Sequence, residues 1–193
     1  MKKNIAVLAS GKGSNAKNIC SFFQNSKDVT IKLICSNKKN SPLFPFSKKN
    51  SISFYYLDTC VSSLFDDFIQ HLQLMNIDFI VLSGFLLKIP KNLVELYENK
   101  IINIHPSLLP KYGGKGMYGN NIHSLVIKNK EKYSGITIHF VNEEYDSGAI
   151  IFQYKYELKK SETVESLSNE IQKIEHAFFP KIILDTIKKT EWE

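Results

Sequence analysis

Short apolar runs rich in β-branched residues alternate along this chain with amphipathic stretches of helical length. The runs are NIAVLA (4–9), VTIKLICS (29–36), ISFYYLD (52–58), DFIVLSGF (78–85) and IINIH (101–105). The first, fourth and fifth are nearly unbroken in apolar residues, as strands are when both faces of their sheet are covered. Between the runs lie NAKNICSFFQN, VSSLFDDFIQHLQLMN and PKNLVELYEN. Strands separated by helices pair in parallel through right-handed crossovers. Beyond a glycine-rich loop, the pattern predicts a helix near 120–130 and strands at 135–141 and 149–158. The short connection NEEYDSG suits an antiparallel pair. A long amphipathic helix over roughly 162–188 follows. The expected fold is α/β: a Rossmann-like open, mostly parallel sheet of about seven strands, with an antiparallel carboxyl-terminal strand and helices on both faces. The 193 residues show no linker or repeat and suit one domain, 1–193.

Charge and cysteine usage exclude several function classes. The formal charge is +6, yet all 25 basic residues are lysine. Arginine is the usual reader of guanine edges and phosphate forks, so its absence argues against sequence-specific nucleic-acid binding. Cys20, Cys35 and Cys60 have no C-x-x-C spacing and cannot all pair. They read as buried free thiols of a reducing compartment. The opening MKKNIAVLAS imitates a signal peptide, but its apolar patch of about five residues is shorter than such a peptide needs. No stretch is long enough to cross a bilayer. The expected protein is cytoplasmic, a monomer or homodimer that works on small molecules, with no nucleic-acid or membrane partner.

Two loops carry candidate chemistry. ASGKGSNA follows the first strand and opens the first helix, so Gly11-x-Gly13-x-x-Ala16 satisfies the loose dinucleotide fingerprint. A dinucleotide site also needs an acidic residue ending the second strand, where this chain has Ser36 and Asn37. A Walker loop is excluded for lack of G-K-[ST] at the required spacing. What remains is an anion cradle of backbone N–H groups, with Ser14 or Asn15 expected to cap the helix; a tight turn with a good cap is the plainer reading.

The second loop lies in KIINIHPSLLPKYGGKGMYG (100–119), where Asn103 and His105 are two apart on a strand and so share a face. In an open parallel sheet the carboxyl ends of strands line the ligand crevice. An amide there can stabilise an oxyanion, and an imidazole can move protons near neutral pH. Asp146, in VNEEYDSGAI, is the candidate carboxylate to orient the imidazole. Each piece alone has a plain structural reading, a satisfied histidine or an ordinary turn. A metal site of His105, His123 and His139 lacks typical ligand spacing, so no metal is expected. His71 and His176 fall on helices and are expected to be partly exposed, and G-x-S-x-G is absent.

VLASGKGSN, NIHPSLLPKY, GITIHFVNEEYDSGAII and IQKIEHAFFP occur in this order over nearly the whole chain. Together they resemble the folate-dependent formyltransferases, and within them the phosphoribosylglycinamide formyltransferase family. The resemblance implies the formyltransferase fold, with 10-formyltetrahydrofolate as co-substrate and no metal. It implies that the glycinamide amine attacks the formyl carbon. Asn103 would bond the developing oxyanion, His105 would be the general acid and Asp146 would raise its pKa. Gly13, Ser14 and Asn15 would hold the ribonucleotide phosphate, with Gln172 and Glu175 at its sugar or amine end. The folate would bind beside Leu86, Leu87, Lys88 and Ile89, and against Asn103, Val141 and Asp146. Many members carry an arginine where this chain has Leu86–Ile89. The stretch GGKGMYGNN is longer than the turn in many members, and it leaves His123 without a role. A formyltransferase acting on an amino sugar nucleotide, and a non-catalytic nucleotide-binding module, remain alternatives. With one helix after its last strand and its first strand at residue 4, the chain is expected to lack the carboxyl-terminal domain of the methionyl-tRNA formyltransferases and the amino-terminal domain of the formyltetrahydrofolate deformylases.

Overall fold

Strands β1 (Lys3–Leu8), β2 (Val29–Ser36), β3 (Ser53–Tyr56), β4 (Phe79–Leu82), β5 (Ile101–His105), β6 (Tyr133–Phe140) and β7 (Ile150–Glu157) form one sheet in a computed structural model that describes residues 2–60 and 63–190. Their order across the sheet is β3-β2-β1-β4-β5-β6-β7. The three runs that are nearly continuous in apolar residues, β1, β4 and β5, lie side by side at its centre. Pairing is parallel from β3 through β5, and antiparallel between β5 and β6 and between β6 and β7. The reversed strand is thus β6, and β7 returns to the common direction.

The helices are α1 (Ser14–Phe23), α2 (Leu43–Lys49), α3 (Leu64–Leu74), α4 (Lys91–Leu96), α5 (Asn120–Lys128) and α6 (Val164–Lys189). Successive residues of β1 face opposite ways. Ile5 and Val7 pack with Ala16 and Ile19 of α1 and with Ile171, Phe179 and Ile183 of α6. Ala6 and Leu8 pack with Phe68 and Leu72 of α3 and with Leu93 of α4. Helices therefore cover both faces, as the apolar runs require. No helix of the described residues is long and apolar enough to cross a membrane.

Two local differences from the sequence reading have simple causes. Helix α2 was not expected, because its seven residues are too few for a periodic signal and Pro42 and Pro45 suggest a loop. Pro45 falls in the first turn, where a missing N–H costs nothing. The helix predicted over 61–76 begins at Leu64, and residues 61–62 lie outside the described residues. Cys20 and Cys35 are buried, but Cys60 is exposed in a turn where its N–H bonds the Asp58 carboxylate at 3.0 Å. Burial pushes the Cys20 thiol up to about 12, which keeps it protonated and inert.

Beyond β5 the chain is tied down by one hydroxyl. Thr137, fully buried on β6 and paired with His105, donates to the Ser107 carbonyl at 2.7 Å. The same oxygen accepts from the Leu109 N–H at 3.0 Å and from the Gln153 amide on β7 at 2.9 Å. Replacing it with a methyl group leaves the buried Leu109 N–H and the Ser107 carbonyl without this partner. We expect Thr137→Val to lower stability by about 2 kcal/mol, read as a lower urea midpoint at unchanged m value. A midpoint equal to wild type would show that the loop is held elsewhere.

Candidate active site

The order of strands reverses between β1 and β4, the position where open α/β sheets form their ligand crevice. The loops that leave these two strands are laced together. Ser10 N–H donates to the Gly84 carbonyl at 3.0 Å, and Leu86 N–H to the Ser10 hydroxyl at 3.0 Å.

Gly13, not Ser14 or Asn15, is the N-cap of α1, and no side chain caps the helix. The expected caps are engaged elsewhere. Gln172 donates to the Ser14 hydroxyl at 3.0 Å, and Asn15 donates to the Glu175 carboxylate at 2.7 Å. One face of α6 thus grips the first turn of α1 by its side chains and leaves its backbone N–H groups for an anion. Gly13 has φ +75, and a Cβ there would lie 2.5 Å from Leu43 of α2. The glycine is required by left-handed backbone and by the helix behind it, before any ligand is considered.

Asn103 and His105 do project together, and Asp146 meets both. The carboxylate lies 3.4 Å from His105 Nδ1, 3.5 Å from the Asn103 amide nitrogen and 3.7 Å from His139 Nε2. It also accepts the Gly114 N–H at 2.8 Å. Burial pushes this carboxyl up, but His139, the charge of His105 and the Gly114 N–H outweigh it, and the pKa ends below its ordinary value. His105 Nε2 donates to the Tyr112 carbonyl at 2.7 Å, so Nδ1, on the Asp146 side, is the nitrogen left to gain or lose a proton. Burial lowers the His105 pKa and Asp146 raises it, with burial the larger, so the net direction is down. The pull from Asp146 has the expected sign but does not prevail.

His139 is the neighbour that the sequence reading had considered only as a metal ligand. Its Nδ1 bonds the Phe140 carbonyl at 2.7 Å, so its Nε2 accepts from the Asn103 amide at 3.1 Å. Cross-strand pairing sets Asn103 opposite His139. His105 and His139 both reach Asp146, yet among the described residues no group of three or more such side chains is placed to hold a metal ion.

Two cavities meet here. The larger, about 530 Å³, runs from Gly13, Ser14 and Asn15 past Gln172 and Glu175 to His105, and its far wall is the loop Gly114–Gly119. The smaller, about 60 Å³, is lined by Leu87, Lys88, Ile89 and Val141. Leu86, expected beside them, instead faces the larger cavity. Both share Phe85, Asn103, Tyr145 and Asp146. A wider groove of about 1080 Å³, between α4, β7 and the end of α6, includes none of these residues.

Fold and site together define an open-sheet α/β protein in which a buried cluster of His105, Asp146 and Asn103 lies in one crevice with an uncapped helix start. The formyl transferase family model matches residues 3–183. The chain is 35% identical over 190 residues to the chloroplastic phosphoribosylglycinamide formyltransferase of Arabidopsis thaliana, covering 94% of this chain and 64% of that protein. It is 32% identical to the phosphoribosylglycinamide formyltransferase of Haemophilus influenzae, covering 94% and 85%. The crystal structure of the Bacillus halodurans phosphoribosylglycinamide formyltransferase superposes with a TM-score of 0.88 at 30% identity, covering 98% and 97%. The chain belongs to the formyl transferase family.

Two expectations follow from this geometry. Asp146 has φ +53, which asparagine tolerates well, so Asp146→Asn removes the charge and keeps the backbone. Turnover is expected to fall by about a hundredfold or more, with a lower His105 pKa by NMR. Near-normal turnover with an unmoved titration would make Asp146 a turn residue only. The second concerns Glu175, whose pKa burial raises to about 7 against an opposing bond from Asn15. A carboxyl with a raised folded pKa favours the protonated native state, so its contribution is full below about 4.3 and is lost as pH climbs through 7. The Tm advantage of Glu175→Gln over wild type should therefore grow between pH 5 and pH 7 and level off above. A difference independent of pH would place the carboxylate in water.

Proposed function

We propose that this protein transfers the formyl group of 10-formyltetrahydrofolate to the amine of 5-phosphoribosylglycinamide, giving formylglycinamide ribonucleotide, a step of purine biosynthesis. The observation that carries the reading is the junction of the two cavities at Asn103 and Asp146, with His105 alongside. In this reading the anion cradle takes the ribonucleotide phosphate, through Gly13, Ser14 and Asn15. Gln172 and Glu175 lie beyond it, toward the sugar and amine. The folate enters by the smaller recess, between Leu87, Lys88 and Ile89 on one side and Val141 to Asp146 on the other, with Leu86 at the lip.

The amine nitrogen attacks the formyl carbon, and the carbonyl oxygen takes up negative charge. Asn103 holds one amide proton toward His139, and in this reading its NH2 group bonds that oxygen. His105 Nδ1 accepts a proton from the attacking amine and returns one to the departing folate nitrogen, so the products are the formylated amide and tetrahydrofolate. Asp146, 3.4 Å away, stabilises the imidazolium formed between these transfers. Water exclusion around a histidine only 4% exposed strengthens that attraction. The same reading holds residues 1–193 to be a single domain in the cytoplasm, as monomer or homodimer, in keeping with the buried free thiols Cys20 and Cys35.

The test offers the purified protein 10-formyltetrahydrofolate with 5-phosphoribosylglycinamide or with an amino sugar nucleotide, and follows release of tetrahydrofolate. Transfer to 5-phosphoribosylglycinamide is expected, with His105→Ala slower by about a hundredfold or more. Transfer to the amino sugar nucleotide alone would overturn the assignment. A His105→Ala enzyme within a few-fold of wild type would remove the imidazole from the chemistry.

A further inference from the structure

Polar atoms left without partners in a protein interior are rare, because each costs a desolvation that nothing returns. Three such side-chain atoms among the described residues, Asn15 Oδ1, Ser83 Oγ and His123 Nδ1, belong to residues lining the larger cavity. Asn15 lies in the first turn of α1 and Ser83 just after β4, both already described. His123 belongs to neither. It stands on α5, just beyond the glycine loop, and is 3% exposed. No described residue hydrogen-bonds to either of its ring nitrogens.

We propose that His123 is a binding residue for the phosphoribosyl group, donating a hydrogen bond from Nε2 to an oxygen of the sugar or its phosphate. The inference rests on the function proposed above, and three observations support it. The imidazole lines the cavity that contains the anion cradle and is absent from the folate recess. Its Nδ1 is sealed from solvent, so a ligand in the cavity reaches the ring through Nε2. A buried N–H without a partner is costlier than a buried lone pair, which places the lone pair on Nδ1 and the proton on Nε2. Burial also lowers the His123 pKa to about 4, so the ring is neutral at working pH and serves as a donor without carrying charge. A neutral donor suits a wall whose opposite side already presents the N–H groups of a helix start.

The test has two parts. Nitrogen-detected NMR of the wild-type protein follows the His123 ring during titration with ribose 5-phosphate and, separately, with inorganic phosphate. A move of the Nε2 resonance with either probe supports the inference, and the pair of titrations tells phosphate from sugar. No move at saturation with ribose 5-phosphate overturns it. In kinetics, His123→Phe fills the same space without a donor. The KM for the ribonucleotide should rise about tenfold, the worth of one hydrogen bond, while kcat and the folate KM stay within about threefold. His123→Gln should recover part of the loss. An unchanged ribonucleotide KM in folded His123→Phe would return this histidine to the core. If the wild type formylates no 5-phosphoribosylglycinamide but Nε2 still responds to ribose 5-phosphate, the proposed reaction fails and the binding role stands.

Discussion

A carboxylate with only a tenth of its side chain exposed needs compensation, and Asp146 draws it from three parts of the chain. The glycine loop gives a backbone N–H, β5 gives the Asn103 amide and the His105 ring, and β6 stands His139 beside the carboxylate, an imidazole that compensates the charge only when protonated. Uncompensated, such a charge would cost several kcal/mol, so the arrangement holds only while every partner stays in place. The loop that carries Asp146 is fixed from below. A Cβ on Gly148 would fall 1.8 Å from the Phe140 carbonyl oxygen, so the chain leaves β6 and re-enters β7 at a distance only glycine permits. Sheet register, loop closure and electrostatics thus converge on one side chain.

Much of this was legible in the sequence because it depends on local pattern. The central position of β1, β4 and β5 follows from apolar runs that need cover on both faces. The pairing of Asn103 with His105 follows from the two-residue period of a strand, and the tight entry into α1 from glycines set between a strand and a helix. The parts that could not be read depend on contacts between distant segments. Ser14 and Asn15 looked like caps, since nothing local says that Gln172 and Glu175 will engage them from α6. His139 suggested only a metal ligand at unsuitable spacing, since antiparallel register alone sets it against Asn103. Cys60 looked buried, since a thiol carries no sign of which turn it will occupy.

The net effect of Asp146 on His105 also lay beyond the sequence. A carboxylate beside an imidazole raises its pKa, and the motif alone predicts that sign. How much burial works against it depends on the folded chain that leaves the ring only 4% exposed. The histidine that results is harder to charge than a free imidazole, because burial outweighs the pull of Asp146.

The wall between the two cavities belongs to both. Phe85, Asn103, Tyr145 and Asp146 line the larger cavity and the smaller recess at once. Whichever ligand arrives first and stills these side chains has met part of the ordering cost for the second. Linkage makes that benefit equal in both directions, whatever the order of arrival. Four shared side chains therefore join the affinities of whatever two molecules fill the cavities into a single thermodynamic quantity.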